Sequence, residues 1–158
     1  MLREHGPLDL HQAMKACYFA DKAHLNAHDR PVFGATYRAM RFGPVPLEIY
    51  EMAKGEPLWL AELDRPRMPW RLEGWHLHLD TNEEPDLGSL SRSDRTALED
   101  GLARSVAMNF TERTAATHGP DWQAARMGLM RYEDMIEDGP YKADLVAELR
   151  ATAPRLSL

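Results

Sequence analysis

The chain has 158 residues, 44% of them hydrophobic, and 19 Lys+Arg against 25 Asp+Glu give a formal charge of −6. A chain of this length buries roughly 70% of the surface its unfolded form exposes, which suits one soluble domain spanning residues 1–158 without metal or disulfide staples. The acidic pI of about 5.6 argues against nucleic-acid binding by the whole surface, and the single cysteine, Cys17, excludes an intrachain disulfide and a multi-cysteine zinc site. No run approaches the roughly 18 apolar residues of a membrane span, and the start MLREHGPLDL lacks the apolar stretch of a secretory signal, so a cytoplasmic protein is expected.

Asp9 and Gln12 form a capping-box pattern, which starts a helix expected to run from Asp9 to about Ala27. Leu10, Met14, Cys17, Tyr18, Asp21 and Leu25 recur at three- and four-residue steps and mark its mostly apolar face. From Arg30 to Pro46 the residues RPVFGATYRAMRFGPVP predict an extended, turning segment, because Pro44 and Pro46 lack amide donors and bias their predecessors away from helix. Gly43-Pro44-Val45-Pro46 should form a rigid bend that packs Tyr37 and Tyr50 toward the first helix. Leu47 to Lys54 reads as a short helix ended by Gly55.

Pro57, Pro66, Pro69 and Pro85 argue against any long helix between Pro57 and Leu90. Trp75, Leu77 and Leu79 alternate with His76, His78 and Asp80, the period of a half-buried strand, with Arg71 to Glu73 as its candidate partner across Gly74. Helical signals then return. Ser91 caps a helix carrying Leu98, Leu102 and Val106, Asn109 and Glu112 form a second capping box, and Gly119-Pro120 precedes another short helix. Tyr132, Met135 and Ile136 suggest a further turn, and Leu145, Val146 and Leu149 a last amphipathic helix that Pro154 stops. The expected fold is mainly α, one helical domain with a small β-hairpin or β element in the middle.

Chemistry is sparse. His24 and His28 lie one helical turn apart and His76 and His78 share a strand face, which raises a metal-dependent hydrolase as an alternative, but no H-E-x-x-H arrangement accompanies them. There is no G-x-S-x-G elbow and no phosphate-cradling glycine loop, and Cys17 sits on an apolar helix face. The residues imply no catalytic group, metal or cofactor. Arg38 and Arg41 near Lys54, with Arg65, Arg67 and Arg71, raise a DNA-binding autorepressor as a second alternative, which the acidic total opposes. Asp21 and His24 interrupt the apolar face of the first helix, either as an internal hydrogen-bond pair that fixes its packing or as part of a partner-binding surface.

Tyr18-Phe19-Ala20-Asp21-Lys22-Ala23-His24-Leu25, then Arg30-Pro31, the run Tyr37 to Pro46 and Tyr50 resemble the Panacea domain, also called the SocA-like antitoxin domain. Pro85-Asp86-Leu87 with Leu90-Ser91 and Ser93-Asp94, and Thr117-His118 followed by Trp122, extend the resemblance to about residue 134. His28-Asp29 departs from it, standing where a small turn residue such as glycine is expected. The resemblance implies a helical antitoxin of a bacterial or prophage toxin–antitoxin pair that binds its cognate toxin, and in some members an adaptor that delivers the toxin to an AAA+ protease. No catalysis is implied. The expected docking surface joins the exposed edge of the first helix to the Tyr37 to Tyr50 segment, with Arg38, Arg41 and Glu48 at its rim. The candidate partner-binding residues are Asp21, His24, Tyr37, Arg38, Met40, Arg41, Phe42, Pro44, Val45, Pro46, Glu48 and Tyr50. Core packing is the competing role for Tyr37, Phe42 and Tyr50, and the helices around Thr117, His118 and Trp122 are the alternative surface.

Overall fold

The computed structural model describes residues 1–156, with side chains through residue 151. In chain order the elements are α1 (Leu2–His5), β1 (Leu8–Asp9), α2 (Leu10–His28), β2 (Tyr37–Met40), β3 (Gly43–Pro46), α3 (Leu47–Lys54), α4 (Pro57–Glu62), β4 (Trp70–Glu73), β5 (His76–Leu79), α5 (Arg92–Val106), α6 (Phe110–Ala116), α7 (Pro120–Ala124), α8 (Tyr132–Met135) and α9 (Lys142–Leu156). The fold is mainly α, as expected, with two small antiparallel sheets, β1-β5-β4 and β2-β3.

Helix α2 is the axle of the molecule. Asp9 and Gln12 make the reciprocal capping box at its start, and its last turn closes on Asp29, whose φ of 61° and ψ of 14° place it in the left-handed region. Aspartate tolerates that region better than most residues, so a turn of the kind glycine favours forms with Asp29 in it. The expectation of one apolar face is too narrow: every residue from Ala13 to Asp21 is buried, because α5 packs on one side and the β2-β3 hairpin on another. Close approach to α5 depends on Gly101, where an added Cβ would stand 2.6 Å from the Ala16 carbonyl oxygen. Ser105 Oγ donates to the Gln12 carbonyl at 2.8 Å and ties the same two helices.

The segment expected to be a bend is a β-hairpin. Tyr37 pairs with Pro46 and Ala39 with Pro44, and these four face the core, while Arg38 pairs with Val45 and Met40 with Gly43 on the opposite face. Proline is accepted in β3 because the strand has only one hydrogen-bonded neighbour. The free edge of β2 is covered instead by residues 128–130, through Ala39 N–H to the Gly128 carbonyl and Met130 N–H to the Tyr37 carbonyl. Gly43 has φ +97°, and a Cβ there would meet Thr117 Oγ1 at 2.3 Å and Lys15 Cε at 2.9 Å. Gly43→Val is expected to lower stability by about 2 kcal/mol, a fall in melting temperature of about 4–8 °C, since the obstructing atoms are side-chain ends able to shift. An unchanged thermal melt would contradict this.

Two other expectations need correction. Trp75 does not lie on the buried strand face with Leu77; it occupies the two-residue turn Gly74-Trp75 between β4 and β5 and is 72% exposed. Gly74 supplies the positive φ, +59°, that such a tight hairpin requires. Helix α4 is only six residues long, in keeping with the prolines of this stretch, and Pro57 sits at its first turn, where a missing amide costs no hydrogen bond. Helix α9 runs through Pro154 to Leu156; proline's fixed φ is itself helical, and the loss of one ladder bond near a terminus does not force an exit.

Candidate partner-binding groove

A groove of about 680 Å³ opens between the start of α2, the β2-β3 hairpin, α3, the β4-β5 turn and the start of α6. Its walls are aromatic. Phe42 from the hairpin turn and Phe110 from the first turn of α6 meet edge to face with centroids 5.2 Å apart, and Trp75 and Tyr50 stand around the same opening. Phe42, Phe110 and Trp75 are 46%, 48% and 72% exposed, so large apolar groups face solvent together rather than singly.

Beneath the aromatics lies a polar layer that fixes them. His11 is held down to a pKa of about 4 by burial and by the neighbouring charges of Lys15 and Arg113, so its ring is neutral at neutral pH. Arg113 can only donate; the contact of its guanidinium with His11 Nδ1 at 2.9 Å therefore assigns the ring proton to Nε2, which donates to the Phe42 carbonyl at 3.1 Å. The same guanidinium donates to the Ser105 and Met108 carbonyls. Leu10 N–H donates to the Trp75 carbonyl at 2.8 Å, which anchors that turn while leaving the indole outside.

Lys15 is 1% exposed, and its Nζ donates to the Pro44 carbonyl at 2.7 Å. Burial, reinforced by the charge of Arg113, pulls its ammonium down to about 7. Among the described residues no carboxylate pairs with it; the nearest acid in this cluster, Asp9, lies 3.9 Å from Arg113 and is already spent on capping α2. Sequence periodicity gave no warning of this, because Lys15 falls one residue off the apolar stripe on a helix that turns out to be enclosed.

The anticipated site residues divide into two groups. Met40, Arg41, Phe42, Val45 and Tyr50 line the groove. Arg38 is exposed beside it, as the cross-strand partner of Val45. Asp21, His24, Tyr37, Pro44 and Pro46 are buried and hold the fold instead. Glu48 accepts from Thr36 N–H at 2.8 Å and braces the hairpin base. Asp21 and His24 do not bond each other. Asp21 accepts from Val32 N–H, Phe33 N–H and Tyr37 Oη, with Tyr132 Oη nearby and donating to the Ala35 carbonyl, whereas the two ring nitrogens of His24 contact the Arg30 carbonyl and Ser93 Oγ. Trp75 and Phe110 were missed. The first was assigned to the wrong side of a strand, and the second comes from a helix whose distance from the hairpin only the fold reveals.

The Thr117-His118 and Trp122 element lies behind the hairpin. Trp122 Nε1–H donates to the Met40 carbonyl at 3.0 Å and stacks on His118 with centroids 3.7 Å apart, while Thr117 is fully buried. The basic group is largely neutralised: Arg65 faces Glu83, Arg67 faces Asp80, and Arg71 bonds Glu73 and faces Asp80. Among the described residues no three His, Cys, Asp or Glu side chains converge as metal ligands, and burial pushes the Cys17 thiol up to about 12, which holds it protonated. No helix of the described residues is long and apolar enough to cross a membrane.

The model for the family described as the SocA-like antitoxin, Panacea domain, matches residues 14–123, most of the chain and most of the residues around the groove, Asp9, Leu10 and His11 lying before it. The chain belongs to this family. No curated protein and no solved structure matches it. The match begins inside α2 and ends in α7, so the Panacea domain here comprises the central helix, both hairpins and α5 with the helices that brace them.

Proposed function

We propose that this Panacea-domain chain is the antitoxin of a toxin–antitoxin pair, acting in the cytoplasm by binding its cognate toxin through the face that carries the aromatic groove. The observation that supports this most is the group of exposed Phe42, Trp75 and Phe110 around one opening. Trp and other aromatic side chains, with arginine, dominate interface energies when they insert into a partner; Arg41 lines the groove, and Arg38 is exposed opposite Val45, which lines it. The proposed action is binding and not catalysis; both ring nitrogens of His24, the buried histidine of α2, are engaged within the fold.

Co-expression with the product of the adjacent gene tests the reading. Growth arrest by that product alone, relieved by this chain, supports it; a neighbour that is harmless alone contradicts it. Arg38→Glu with Arg41→Glu is expected to leave the melting temperature nearly unchanged, because neither side chain is buried and such substitutions usually change stability by about 0.5 kcal/mol or less. The double variant should nevertheless lose neutralisation, and full rescue by it would put the toxin elsewhere. Toxin abundance separates the two modes of action: simple blocking leaves it constant, whereas delivery to an AAA+ protease lowers it in a protease-dependent way.

A further inference from the structure

Lys15 is enclosed by groups that give it no counter-charge. It is 1% exposed, its Nζ meets the Pro44 carbonyl at 2.7 Å, and the hairpin backbone lies so close that an added Cβ at Gly43 would stand 3.3 Å from Nζ. Strand β3 itself, Gly43 to Pro46, brings no titratable side chain. From α2 the neighbours are His11, which is neutral, and Asp9, which caps the helix. From α6 comes the guanidinium of Arg113, a like charge, and from the segment after α6 comes His118, whose pKa is lowered by burial and then by the charge of Lys15. Among the described residues no carboxylate pairs with Nζ, so burial and like charge both favour the neutral amine.

The elements around Lys15 are not equally free to respond. Helix α2 is fixed to α5 through Gly101 and Ser105, and Arg113 ties α6 to the Ser105 and Met108 carbonyls. Strand β3 has a single strand neighbour, and Pro44 and Pro46 supply no amide donor. It and the turn before it are hydrogen-bonded to α2 by two side chains, Lys15 on the Pro44 carbonyl and His11 on the Phe42 carbonyl.

We infer that Lys15 is a proton-sensitive pin for this wall of the groove: as the neutral amine it holds β3 against α2 through the Pro44 carbonyl, and on taking up a proton it releases β3 and the Phe42 turn so that the ammonium meets water. This goes beyond toxin binding, because it is a property of the free chain whatever its partner. The sign follows from where the proton is held. In the closed hairpin the Lys15 pKa is about 7, against 10.5 for an ordinary lysine. The closed state therefore has its full advantage above about 10.5, and as the pH falls from there to about 7 the opening constant rises about tenfold for each unit; below about 7 both states are charged and the constant levels off.

Two NMR measurements on the intact protein test this. In the first, the side-chain amines of Lys15, Lys22, Lys54 and Lys142 are titrated from about pH 6 to about pH 11. One signal, absent from Lys15→Met, is expected to have a midpoint near 7, and titration of all four only above about pH 9 would overturn the proposal. In the second, hydrogen exchange gives opening constants at the amides of Gly43 and Val45 in the hairpin and of Ala16 and Ala20 in α2. The hairpin constants should rise about tenfold per unit as the pH falls from about 9 to about 7, those in α2 should not, and Lys15→Met, which takes up no proton, should show no such rise in the hairpin. Hairpin constants that stay level in the parent, that rise equally in Lys15→Met, or that rise together with those of α2 would overturn it. Should Lys15→Met not fold, the parent's lysine midpoint and its contrast between hairpin and helix decide alone.

Discussion

Gly101→Val is expected to lower the melting temperature by about 6–12 °C, corresponding to about 3 kcal/mol. Helix propensity alone points the other way, because glycine inside a helix is worse than most residues by up to about 1 kcal/mol. Packing decides the sign. A Cβ at position 101 would lie 2.6 Å from the Ala16 carbonyl oxygen, 3.0 Å from the Ala20 nitrogen and 3.1 Å from the Ala20 Cβ. Two of these three are backbone atoms of the central helix, which cannot rotate aside as a side chain can. Relief requires α5 to withdraw from α2, and this contact is the largest between any two elements of the fold. Thermal unfolding followed by circular dichroism checks it, and a variant that melts at or above the parent would show that the helix pair does not depend on its glycine.

Asp21→Ala is expected to cost about 4 kcal/mol or more, through a different mechanism. The side chain is fully buried and accepts from the amides of Val32 and Phe33 at 2.8 and 2.7 Å and from the Tyr37 hydroxyl at 3.1 Å, while Tyr132 Oη stands 3.3 Å away and gives its one proton to the Ala35 carbonyl at 2.8 Å. Each donor stranded without water costs about 1–3 kcal/mol, and a total above about 4 marks the loss of a buried network rather than of one contact. Burial raises the Asp21 pKa while its hydrogen bonds oppose the rise, so the group works as an acceptor hub and not as a surface charge. Asp21→Asn keeps an acceptor for the two amides, and its NH2 can donate to the tyrosine hydroxyls, so a loss no more than half that of the alanine variant is expected. Equal loss in the two variants would contradict the hub.

Much of the scaffold was legible because its signals are local. Capping boxes at Asp9 and Asn109 and the Ser91 cap start helices where they were read, since a side chain four atoms long reaches only its own first turn. The pairing of Arg71 to Glu73 with the strand of Leu77 and Leu79 across Gly74 was legible from period-two alternation, although Trp75 fell in the turn. What stayed hidden depends on contacts between residues far apart in the chain. The enclosure of α2 turned Asp21 and His24 from possible surface groups into buried anchors, and placed Lys15 under the hairpin. Of the anticipated docking residues, the outward-facing Met40 and Val45 line the groove with Arg38 beside it, and their inward neighbours Tyr37, Pro44 and Pro46 went to the core. The sequence run reads the same for both, because only the sheet's second layer decides which parity faces water.

Affinity purification of the tagged chain from cells that also express the adjacent gene's product tests the central claim most directly. The account predicts a stoichiometric complex with a toxic partner, retained by the parent and released when Arg38→Glu and Arg41→Glu are introduced into a protein that still melts as the parent does. A toxic neighbour that passes through the column without binding, while the chain itself is folded, would contradict it.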